Sequence, residues 1–176
     1  MSRGRDQPSY LPAVEDPTGT YYEVDSINFL VDNRLNAKNN ETHVCQTWTT
    51  LLVHVFPAVK GYSVSTEMDA RAERLDLQVS EIVYRETRDE SVFFVVQCKR
   101  PSYDGVVASW KLTEEQLLER LNELPGCKWG AVSIGKSVQF YANSVDSLTP
   151  LHTNPLRLDR EYQAVQYWLD YIKERS

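Results

Sequence analysis

Apolar and polar positions along the chain fall into two periods. Ile27, Leu30, Val31 and Leu35 recur at helical spacing behind Asp25 and Ser26, either of which can cap a helix start. Val44, Trp48, Leu51, Leu52 and Val55 repeat the spacing after Asn39-Asn40-Glu41, and this second helix must stop at Pro57, which lacks a backbone donor. Gly61 to Thr66 reads as a strand. Arg74 to Val79 then alternates polar and apolar, Glu86 to Glu90 reads as a charged turn, and Val92-Phe93-Phe94-Val95-Val96 is an unbroken apolar run. A solvated strand would alternate, so the run predicts a central strand covered on both faces.

That strand ends in Gln97-Cys98-Lys99-Arg100. Side chains two apart on a strand share a face, so Gln97 and Lys99 project together while Cys98 points the other way. Asp76, on the preceding strand, is placed to face them across a hairpin.

Further on, Tyr103-Asp104-Gly105 predicts a turn and Thr113-Glu114-Glu115-Gln116 has the form of a capping box opening a helix, with Leu117, Leu118, Leu121 and Leu124 inward. Pro125-Gly126 ends that helix. Trp129 to Ile134 and Val138 to Tyr141 read as strands joined at Gly135-Lys136, followed by a proline-bearing loop. Tyr162, Val165, Trp168, Leu169 and Ile172 stripe a last helix that starts near Asp159. Residues 1–22, with Pro8, Pro12, Pro17 and Gly19, predict an irregular and flexible arm, packed if at all through Tyr10, Leu11, Tyr21 and Tyr22. Residues 23–176 then form one α/β domain, a central mixed sheet flanked by helices.

Composition changes this picture in two places. A net charge of −6 argues against generic tracking of a nucleic-acid backbone, which relies on excess Lys and Arg, yet it leaves room for a local basic cleft from Lys99, Arg100, Lys111, Lys128 and Lys136. Three cysteines, Cys45, Cys98 and Cys127, lack metal-ligand spacing and read as buried free thiols. No apolar run is long enough to span a bilayer and residues 1–8 lack a signal-peptide core, which predicts an intracellular protein, cytoplasmic or nuclear, with no membrane partner. His43, His54 and His152 show no ligand spacing, and no nucleophile elbow or phosphate-binding glycine loop appears.

Glu41 at a helix start, Asp76 on a strand and Gln97-Cys98-Lys99 closing the next strand resemble the PD-(D/E)xK nuclease superfamily, in the form with glutamine before the lysine. The later course, a helix beginning near Trp110 with Gln116 inside it and then the Trp129 to Gly135 strand, also looks like nuclease-like domains of fungal proteins, and the resemblance spans Asn39 to Tyr141. The resemblance implies a restriction-endonuclease-like core and metal-dependent hydrolysis of nucleic-acid phosphodiesters. It implies Mg2+ or Mn2+ held by Asp76, Gln97, the Cys98 carbonyl and Glu41, with Lys99 as the catalytic cation. Asp76 is preferred to Glu67, Asp69 and Glu73 because it lies inside the alternating run. Two positions depart from the family pattern. Leu75 stands where a proline is usual, and Gln97 replaces an acid, which removes one negative charge and weakens the grip on a hard cation. The alternative reading is therefore a catalytically inactive nuclease-like fold that binds nucleic acid, a protein partner or a second copy of itself. Singly, each residue has an ordinary role: Glu41 complements a helix dipole and the others end strands.

Overall fold

The structure is a computed structural model that describes residues 11–69, 74–84 and 86–176. Helix α1 (Asp25–Arg34) and helix α2 (Glu41–Val55) come first. Asn40 accepts from the His43 amide at 3.3 Å, which starts α2 and fixes Glu41 at its first helical position. Strands β1 (Tyr62–Asp69), β2 (Arg74–Tyr84) and β3 (Arg88–Lys99) form an antiparallel meander. Helix α3 (Val107–Glu123) then carries the chain over to β4 (Trp129–Ile134), which lies parallel to β3. Strand β5 (Ser137–Ser144) returns antiparallel through the two-residue turn at Gly135, whose φ of 58° suits glycine. Short strands β6 (Ser147–Pro150) and β7 (Leu156–Arg157) both pair with β5, and α4 (Tyr162–Glu174) closes the described chain.

The result is the expected α/β architecture, a mixed seven-stranded sheet with helices on both faces. On one face Trp48, Leu51 and Leu52 of α2, Ile27 and Val31 of α1, and Val165, Leu169 and Ile172 of α4 bury against Leu77, Val79, Phe94 and Val96. On the other, Leu117 and Leu121 of α3 cover Val95, Val132 and Ile134. Both faces of β3 are thus covered, which is why its sequence is apolar throughout.

Several local expectations give way to tertiary geometry. The stretch predicted as a charged turn belongs from Arg88 onward to β3, which pairs as far out as Tyr84 with Arg88. A register shift between Val79 and Ser80 leaves Phe93 opposite no residue, so Phe93 and Phe94 both enter the same core. Helix α3 begins six residues before the supposed capping box; the Thr113 hydroxyl instead bonds back to the Ser109 carbonyl at 2.6 Å, inside the helix. The loop expected after Tyr141 contains β6 and β7.

The arm differs too. Leu11 is exposed, whereas the Tyr21 hydroxyl donates to the Leu158 carbonyl at 2.8 Å and Tyr22 stacks on Tyr162 at 4.1 Å. Glu15 and Gln163 add further bonds between residues 15–18 and α4, so this part is fastened rather than loose. Tyr10 lies outside the described residues.

The approach of α3 to the sheet depends on Gly130. A Cβ there would sit 3.0 Å from both Leu117 δ-carbons and 3.1 Å from Leu121 Cδ1. Gly130→Ala is therefore expected to cost about 1–3 kcal/mol by overpacking, read from urea unfolding. Unchanged stability would mean that α3 does not depend on this gap.

Candidate functional site

Strand pairing places Asp76 directly opposite Gln97 and, on its other side, opposite Glu67. Leu77 and Cys98 point into the α2 core, so Asp76 and Gln97, their neighbours, point toward α3. Asp76 is 1 % exposed and Gln97 fully buried, while Glu67 is exposed, which singles out Asp76 as the buried acid of this row. Asp69 and Glu73, the other acids considered, have side chains outside the described residues. Two residues beyond Gln97, the Lys99 ammonium lies 3.5 Å from Glu41 Oε1. The register thus puts Asp76 beside Gln97, and the ion pair puts Glu41, from the start of α2, beside Lys99, two residues on along the same strand.

The Cys98 side chain takes no part, because it lies in the opposite core beside Cys45. Hydrogen bonding to Cys45 and burial push its thiol well up, so it stays neutral, and only the backbone carbonyl of Cys98 remains as a donor toward the cluster. Cys45, Cys98 and Cys127 are free and buried, as expected.

One side chain of the cluster carries no signal in the PD-(D/E)xK-like pattern. The Arg120 Nε of α3 donates to Asp76 Oδ2 at 3.0 Å, and its Nη1 reaches Glu123 at 2.8 Å. With its amide turned so that Oε1 faces α3, Gln78 accepts from the same guanidinium. Arg120 lies on the inward face with Thr113, Leu117 and Leu121, and an arginine in such a stripe needs a buried anion. That requirement is the sequence signal for it. Gln116, one turn earlier, has its Oε1 buried without a hydrogen bond.

Each acid has a cation beside it: Glu41 has Lys99, and Asp76 and Glu123 share Arg120. Of the residues proposed for a wider basic cleft, Lys99 pairs with Glu41 and Lys136 with Asp159 at 3.4 Å, while Arg100, Lys111 and Lys128 are exposed. Trp129 meets Tyr171 edge-on and Trp110 packs beside Leu117 and Leu121, so core packing occupies both indoles.

A divalent cation suits the donors by chemistry. Asp76 and Glu41 carboxylates, the Gln97 amide and the Cys98 carbonyl are all oxygen donors, the set that Mg2+ and Mn2+ take. Glu41 Oε1 is buried with the Lys99 ammonium 3.5 Å away, at the limit of hydrogen bonding, and burial raises its carboxyl more than Lys99 and Arg100 lower it. It is an under-compensated anion. Among the described residues no three His, Cys, Asp or Glu side chains gather into a metal-binding group, so two carboxylates and neutral oxygens are what the cluster supplies, and Arg120 competes for one of the two.

Glu41 gives a pH signature. Because its folded pKa lies above the unfolded value, its contribution to stability is largest at low pH and falls as pH rises through the folded pKa. Glu41→Gln, which cannot titrate, should therefore gain on the parent as pH is raised from about 4 upward and then level off. Urea unfolding of both proteins from pH 4 to 8 reads the difference. A variant that instead loses ground to the parent as pH rises would show that Lys99, not burial, governs this carboxyl.

No family model, no curated protein and no solved structure matches the chain.

Proposed function

We propose that this chain is a PD-(D/E)xK-like nuclease that hydrolyses nucleic-acid phosphodiester bonds with Mg2+ or Mn2+. The observation that carries the reading is the junction of Asp76 with Gln97 and of Lys99 with Glu41 at one end of β2 and β3. Ordinary strand ends and a helix-start carboxylate have no reason to meet there. The order helix, three antiparallel strands, helix, parallel strand supports the same resemblance.

Asp76, Gln97, the Cys98 carbonyl and Glu41 would hold the cation. When bound, it would lower the pKa of a coordinated water and offset charge on the phosphate. Lys99, partly exposed beside Glu41, is positioned to hydrogen-bond the attacking water or a phosphate oxygen, and Glu41 holds its ammonium in place. Gln97 contributes an oxygen without charge, so the site leans on its two carboxylates. Free buried thiols accord with a reducing, intracellular setting, cytoplasmic or nuclear. No described helix is long and apolar enough to cross a membrane.

A second reading is favoured by one observation, the guanidinium of Arg120 on Asp76. In it the fold is catalytically inactive and binds nucleic acid or a protein partner. The stripe on α4 is spent in the chain's own core, so a homo-oligomer would have to use another surface.

Manganese- and magnesium-dependent cleavage of single-stranded, duplex and branched nucleic acids separates the readings. The parent should cleave, and Lys99→Ala should lose about a hundredfold or more in rate. Absent cleavage, or equal cleavage in both proteins, would favour the inactive module. Gln97→Glu, which restores an acid, should tighten Mn2+ binding measured by calorimetry, and unchanged affinity would count against a metal at this junction.

A further inference from the structure

We infer that Arg120 is a built-in competitor for the metal: its guanidinium occupies the Asp76 carboxylate in the resting protein, and loading of a divalent cation requires it to withdraw. This rests on the nuclease reading and adds its regulation.

The geometry supports an installed cation. Asp76 is buried to 1 % exposure, and an anion removed from water so completely needs a counter-charge at all times. Arg120 supplies one through Nε at 3.0 Å, and its fork is anchored by Glu123 and Gln78 as well. A dication on the Asp76 carboxylate would lie close to a guanidinium 3.0 Å from its Oδ2, and the two cations would repel strongly in a poorly solvated site, so binding at Asp76 favours an exchange of cations. The measured affinity is the intrinsic one reduced by the fraction of molecules in which Arg120 has left.

Arg120 also has somewhere to go. Glu123, one turn on and half exposed, already holds Nη1 at 2.8 Å and can retain the guanidinium when Asp76 is given up. The Oε1 of Gln116 lies buried and without a hydrogen bond on the same helix, an acceptor close along the chain for a displaced donor or a metal-bound water.

The test is Mn2+ binding by calorimetry together with thermal unfolding, with and without Mn2+, of the parent, Arg120→Gln, Arg120→Lys and the double variant Asp76→Asn/Arg120→Gln. Arg120→Gln should bind Mn2+ at least about tenfold more tightly than the parent. Its melting temperature should fall without metal and recover with it, and the double variant should show neither effect. Arg120→Lys keeps a cation but not the fork, so it should fold and bind with intermediate affinity, which keeps the test decisive if Arg120→Gln does not fold. Equal, Asp76-dependent binding in the parent and the Arg120 variants would overturn the competition and leave the nuclease reading standing. No binding in any Arg120 variant would overturn the competition and the metal site together.

Discussion

The ion pair between Asp76 and Arg120 is the constraint on which the site depends. It joins the middle strand of an antiparallel meander to the crossover helix, across a face otherwise sealed by Leu117, Leu121, Val95 and Val132. Removing one member of such a buried pair leaves the other charged and unsolvated, at a cost of about 3–5 kcal/mol. The pair therefore fixes where α3 sits, and α3 in turn covers Gln97. Gly130 makes this possible by letting the leucines of α3 approach the sheet.

The same pair sets the chemistry. Asp76 is already neutralised by Arg120 and Glu41 by Lys99, so a dication at Asp76 gains little unless its resident cation leaves. An acid at position 97 would put a second negative charge directly beside Asp76. Glutamine there and arginine at 120 are complementary. One lowers the negative charge of the site and the other balances what remains.

Much of the fold was legible because the strongest patterns are those that burial imposes. The apolar run of β3, the stripes of α2 and α4, and the strand pair joined at Gly135 follow from periodicity alone. The meeting of Asp76 with Gln97 followed from hairpin geometry, and that of Glu41 with Lys99 from the PD-(D/E)xK resemblance alone. The start of α3 was misread because Thr113 mimics a cap while its hydroxyl is satisfied inside the helix. The bulge that turns Phe93 and Phe94 into one core breaks strict alternation and leaves no local trace. Arg120 was missed because its partner lies 44 residues away, and the only hint is a charged residue in an inward stripe.

The most direct test of the account is a crystal structure grown at high Mn2+ concentration, with the anomalous signal of manganese mapped. The account places a manganese peak within coordination distance of the Asp76 carboxylate and the Gln97 amide oxygen, with the Arg120 guanidinium moved off Asp76. A map with no peak there and Arg120 still on Asp76 would contradict it, and would make the Asp76–Arg120 pair a structural element of the α/β fold.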